Sequence, residues 1–71
     1  MIQDFDPRQT MAFMAILETG SFEAAAQKLN ITPAAVSQRM RALENALGAP
    51  LVQRVRPCVA TRQGMKLAHF V

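Results

Sequence analysis

Three residues, Asn30-Ile31-Thr32, separate one helical pattern from the next, and this short interval constrains the chain more than any other feature. Asn tolerates the left-handed backbone that a tight helix exit requires. Ile31 can plug the corner, and Thr32 with Pro33 supplies an N-cap followed by a first helical residue. An interval this short is the spacing of a helix-turn-helix.

The pattern before the turn starts at Ser21, an N-cap, and sets Phe22, Ala25, Ala26 and Leu29 at i, i+3, i+4 and i+7, a single helical stripe. Its consecutive alanines allow another helix to approach closely. After the turn, Val36, Met40, Leu43 and Leu47 form a second stripe. Opposite it lie Ala34, Gln38, Arg41 and Asn45, with Ser37 on the flank and the acid Glu44 late and to one side. A generic surface helix would carry mixed Glu and Lys there, paired at i,i+4. This face instead offers a methyl, a hydroxyl, an amide and a guanidinium. Such groups can meet groove edges: Ala a thymine methyl, Gln an adenine, Arg a guanine or a phosphate. The face suits a polyanion.

Upstream, Asp6-Pro7 predicts an N-cap and first residue, with Gln9 placed as a capping-box partner. That helix runs through Met11-Ala12-Phe13-Met14-Ala15-Ile16-Leu17 to Thr19-Gly20. It is apolar nearly all round, which predicts cover on more than one side, by core or by a partner chain. Downstream, Gly48-Ala49-Pro50 ends the third helix, and residues 51–54 and 58–61 predict two short strands with Val55-Arg56-Pro57 at their tip. A two-stranded hairpin is marginal alone, so this one is expected to pack on the helices through Leu51 and Val59. Thr61 caps a fourth helix containing Met65, Leu67, Ala68, Phe70 and Val71. Met11, Met14, Met40 and Met65 are read as core filler, and Cys58 as a small buried hydrophobe.

One Cys and one His in 71 residues exclude an intrachain disulfide and a four-ligand zinc site, so packing must hold the single domain together. No apolar run approaches the roughly 18 residues of a membrane span. The opening Met1-Ile2-Gln3-Asp4-Phe5-Asp6 has acids where a signal peptide carries Lys or Arg, which predicts a cytoplasmic protein. Ser37 and His69 are a nucleophile and a base, but no Asp follows to orient the His. With no Gly-rich phosphate loop and no metal cluster, no enzyme is expected. The net charge of +3 is unevenly distributed: residues 1–36 hold four acids against Arg8 and Lys28, while residues 37–71 hold Arg39, Arg41, Arg54, Arg56, Arg62 and Lys66 against Glu44 alone. Cations gathered in one half of a small domain point to a polyanionic partner.

Taken in order, these residues resemble the N-terminal winged helix-turn-helix of the LysR-type transcriptional regulators over essentially the whole chain. The carriers are Gly20-Ser21-Phe22 with Ala25-Ala26 and Leu29; Ala35-Val36-Ser37-Gln38; Leu43-Glu44 and Leu47-Gly48; then Pro50-Leu51, Arg54, Thr61 and Gly64. Val52 stands where the family often has Phe. With Ser-Phe-Glu-Ala-Ala, Ala-Val-Ser-Gln-Arg and the Arg54-to-Pro57 segment, this looks like the branch regulating arginine or lysine export and metabolism.

The resemblance implies a mainly α winged helix-turn-helix: a three-helix core, a two-stranded wing and the start of a linker helix. Residues 1–61 would be the DNA-binding domain and 62–71 the start of a truncated linker and dimerisation helix. The chain would then be an excised domain with no cofactor of its own; a small effector, such as a basic amino acid, would bind a C-terminal domain absent here. The recognition helix, about 33–47, would enter the major groove, with the wing, 51–61, on the backbone or minor groove. Pro33, Ala34, Ser37 and Gln38 match positions that meet base edges, although family members often have Arg where Gln38 stands. Ser21 and Arg41 match phosphate contacts, Arg54 the wing contact, and Arg56 sits at the wing tip. The implied partner is double-stranded DNA carrying an interrupted palindrome, bound by a homodimer of the full-length protein, with no membrane partner. The alternative is a winged helix used only for protein–protein contact; such modules usually lose the exposed groove residues and the basic wing, and this chain keeps both. Arg39, beside the stripe, is expected either on the exposed face or paired with Glu44 or another acid, and Arg62 and Lys66 on a solvated helix face.

Overall fold

The computed structural model describes residues 6–70, in the order α1 (Pro7–Thr19), α2 (Phe22–Leu29), α3 (Pro33–Leu47), β1 (Val52–Gln53), β2 (Val59–Ala60) and α4 (Arg62–Phe70). Residues 1–5, on which the signal-segment reading rests, and the closing Val71 lie outside the described residues.

Local chemistry sets the helix boundaries. Ser21 Oγ accepts the Ala24 N–H at 3.0 Å, Thr32 Oγ1 the Ala35 N–H at 3.1 Å and Thr61 Oγ1 the Gly64 N–H at 3.1 Å. Each hydroxyl thereby satisfies one of the orphan donors of a helix start. At α1 the Asp6 carboxylate accepts the Arg8 N–H at 2.9 Å, and the Arg8 guanidinium closes on it at 3.1 Å. Gln9 meets Asp6 through its backbone N–H, which donates to the Asp6 carbonyl at 2.9 Å, and among the described residues no bond from its side chain closes the expected capping box. The hydrogen bonds from the Arg8 side chain and backbone hold the Asp6 carboxyl below its ordinary pKa. The helices end at Gly20 (φ 87°), Asn30 (φ 61°) and Gly48 (φ 70°), all left-handed. In the turn between α2 and α3, the Ile31 N–H reaches back to the Ala26 carbonyl at 3.0 Å, and the Ile31 side chain packs on the core as expected.

Helices α1, α2 and α3 pack against one another around Phe13, Ile16, Val36, Met40 and Leu43, all fully buried. Ala12, Ala15, Ala25 and Ala26 are buried with them, and their small side chains permit close helix approach. Cover on more than one side of α1 is thus supplied within the chain by α2 and α3.

Four apolar residues do not join this core as expected. Met11 is 56% exposed, at the rim of an open groove it shares with Met14 and Leu29. Leu47, the last residue of α3, is 38% exposed and rims a second groove with Leu51 and Leu67. Met65 is 65% exposed because α4 turns Gly64, Leu67 and Ala68 inward, at i, i+3 and i+4, which leaves Met65 on the outer side. Val59, expected to anchor the hairpin, is 43% exposed.

The hairpin register explains the last case. Val52 pairs with Ala60 and Gln53 with Val59, antiparallel, and residues directly opposite share a face. Val52 faces inward, buried beside Leu51, so Val59 must face outward with Gln53. The strands are also shorter than predicted, two residues each. Cys58 is half-buried rather than buried.

Helix α4 packs Leu67 and Ala68 on the core and makes one close backbone approach, at Gly64. A Cβ built on Gly64 would stand 2.0 Å from the Leu51 carbonyl oxygen, so backbone would have to move to admit any side chain. Gly64→Ala is expected to destabilise the domain by about 3 kcal/mol, the upper end of overpacking penalties. Gly48→Ala meets no neighbouring atom and should cost only about 1 kcal/mol of left-handed strain. Thermal melts of the two variants followed by circular dichroism check that order.

Candidate nucleic-acid interface

An open groove of about 390 Å³ runs between the first turn of α2, the first turn of α3 and the hairpin tip. Ser21, Pro33, Ala34, Ser37, Arg54 and Arg56 all line it, so three separate segments deliver predicted site residues to one concavity. Gln38 and Arg41 lie outside the lining. They stand exposed with Ala34 and Asn45, and the spacing of these four extends a single polar face along α3. Ser37 is half-buried at the junction of the groove and this face.

The wing is held to the helices by backbone. The Cys58 N–H donates to the Gly20 carbonyl at 2.8 Å, and at the base of the wing itself the Thr61 N–H donates to the Leu51 carbonyl at 3.0 Å. A Cβ on Gly20 would stand 3.0 Å from Pro57 Cβ. Gly20 therefore meets two requirements, a left-handed φ and the close approach of the wing tip.

Glu44 has a role that the sequence did not disclose. Its carboxylate accepts the Leu51 N–H at 2.8 Å, so it ties the end of α3 to the start of the wing. The alternative of Arg39 paired with Glu44 or another acid is not what forms: among the described residues the ion pairs are Arg8–Asp6 and Lys28–Glu18. Arg39 is half-buried and acts electrostatically on Asp6. The acid of α3 is thus drawn toward the wing and away from the exposed face.

Two groove residues escaped notice in the sequence. Glu23, an exposed acid, lines the same groove as the two wing arginines. Phe22, read only as a member of the α2 stripe, carries the Arg54 guanidinium 4.6 Å from its ring centroid. No spacing rule links Phe22 to Arg54, because the pairing exists only once the wing folds back. Among the described residues, no group of three or more His, Cys, Asp or Glu side chains could hold a metal ion, and no helix is long and apolar enough to cross a membrane.

Arg41, Arg54 and Arg56 sit exposed around the groove and the α3 face, where their charges can neutralise phosphates. The amide, hydroxyl and methyl groups between them can read base edges.

Because the Glu44 carboxylate is the acceptor for the Leu51 N–H, Glu44→Ala should cost about 1–3 kcal/mol, the penalty of a stranded, part-buried donor. Glu44→Gln keeps an acceptor oxygen and should cost less. Amide hydrogen exchange at Leu51 checks this directly, with protection falling most in the alanine variant.

Residues 7–65 match the sequence profile of the bacterial regulatory helix-turn-helix proteins of the lysR family. The HTH-type transcriptional regulator LysG of Mycobacterium tuberculosis is 50% identical over 65 residues, covering 92% of this chain and 22% of that protein. Full-length LysG from Corynebacterium glutamicum, solved with the effector Arg bound, superposes with a TM-score of 0.88 at 43% identity, covering 92% of this chain and 22% of its own. The DNA-binding domain of BenM, solved in complex with benA site 1 DNA, superposes with a TM-score of 0.86 at 33% identity, covering 92% and 74% of the two chains. The chain spans about a fifth of the length of the curated relatives it matches.

Proposed function

The chain belongs to the lysR family of bacterial regulatory helix-turn-helix proteins, and we propose that it is the sequence-specific DNA-binding unit of a transcriptional regulator. The convergence of Ser21, Pro33, Ala34, Ser37, Arg54 and Arg56 on one groove carries this reading. The solved complex of the BenM domain with DNA supports it.

In this reading α3 enters the major groove of double-stranded DNA. Pro33, Ala34, Ser37 and Gln38 meet base edges; Ala34 can pack on a thymine methyl, and Gln38 can pair with adenine. Ser21 and Arg41 contact phosphate, and the wing, with Arg54 and Arg56, lies along the backbone or minor groove. Phosphate contacts supply much of the affinity and base contacts the selection. Residues 1–61 form the DNA-binding domain and 62–71 begin the linker helix. A homodimer of the full-length protein places two such domains on an interrupted palindrome. Its effector, bound outside these residues, is a basic amino acid; the Arg bound to LysG supports this. Regulation of bacterial DNA places the protein in the cytoplasm.

Fluorescence anisotropy with a labelled duplex, followed over a salt series, tests the assignment. Arg41→Ala and Arg54→Ala should each weaken binding across all sequences and reduce the slope of log affinity against log salt by about 1. Gln38→Ala should instead relax selection at one base pair, with a loss of about 1–3 kcal/mol on the preferred site. Absence of binding at low salt would overturn the proposal and favour a module for protein–protein contact.

A further inference from the structure

We propose that Phe22 is the positioning residue of the wing: its ring holds Arg54 so that the guanidinium edge faces the groove. This rests on the reading of Arg54 as a phosphate contact.

The two residues come from opposite ends of the motif, Phe22 from the first turn of α2 and Arg54 from just beyond β1, and both line the groove. Phe22 is half-buried and packed on the core, so the surface it offers is anchored. Arg54 is exposed and stands 4.6 Å from the ring centroid. Among the described residues it has no carboxylate partner.

A guanidinium is flat, and its five N–H groups point outward in its plane. Stacking on an aromatic ring occupies the face of the cation and leaves the edge free to donate. Arg54 can therefore keep its platform while it binds a phosphate oxygen. An unsupported arginine in the same loop would have to freeze several rotatable bonds to do so, at a cost in side-chain entropy. The helix start that presents Ser21 to the backbone thus also aims the wing. Gly20 completes the junction by accepting the Cys58 N–H.

Two measurements on the same chain test this. In the free protein, NMR should find the Arg54 side-chain resonances displaced by the ring current of Phe22, and returned toward unstructured values in Phe22→Leu. On DNA, Phe22→Leu should weaken duplex binding roughly two- to fivefold, the range expected for an exposed cation–π contact. Phe22→Tyr should restore affinity, and Phe22→Leu should have no further effect once Arg54 is Ala. Undisplaced Arg54 resonances in the unaltered chain would overturn the proposal, as would an equal loss from Phe22→Leu with or without Arg54. If the resonances are displaced but Arg54→Ala changes neither affinity nor salt slope, the phosphate reading of Arg54 fails and takes the positioning role with it. The stacked pair would then stand as a packing contact.

Discussion

Leu51 is held through its backbone from two sides, and the arrangement of everything after α3 depends on that. The Glu44 carboxylate takes its N–H, the Thr61 N–H donates to its carbonyl, and its side chain is buried in the core. One residue therefore joins the end of α3, the first strand and the start of α4. Thr61 reinforces the junction with its hydroxyl, which donates to the Pro50 carbonyl at 2.7 Å and accepts the Gly64 N–H. A hairpin with two residues per strand has too few ladder bonds to place itself. These side-chain and backbone ties give it a position.

The same economy shows in the helices. Alanines at the α1–α2 contact and Gly64 beneath α4 let backbones come close, so a small chain reaches close packing without large side chains at every contact. The larger apolar residues left over, Met11, Leu47, Val59 and Met65, are exposed, since the inward-facing positions are already taken by their neighbours. Scattered apolar exposure of this kind is ordinary.

Charge follows a related logic. Asp6 is paired with Arg8 and Glu18 with Lys28, while Glu44 is hydrogen-bonded to the Leu51 N–H. With those acids engaged elsewhere, Glu23 is the one acid beside Arg54 and Arg56 among the groove-lining residues, and Arg41 stands exposed on the α3 face. A net charge of only +3 is thus compatible with a locally basic face, because a charged partner would meet the local field within a Debye length rather than the total.

The sequence by itself determined the helix ends and the exposed face of α3, because those depend on residues three or four positions apart. Ser21, Thr32 and Thr61 cap where they were read, Gly20, Asn30 and Gly48 exit left-handed, and Ala34, Gln38, Arg41 and Asn45 share an exposed side. The tertiary structure decided the rest. The expectation that Val59 anchors the hairpin failed because the register turns Val52 inward and Val59 outward, and a shift by one residue exchanges the two faces. Glu44 could have met Arg39 within its own helix, yet the Leu51 N–H, left without a ladder partner in a part-buried position, claims it. Arg54 finds Phe22 only when the wing folds back over α2. In each case the partner is distant in sequence, and side-chain chemistry selects it only after packing has brought the two within reach.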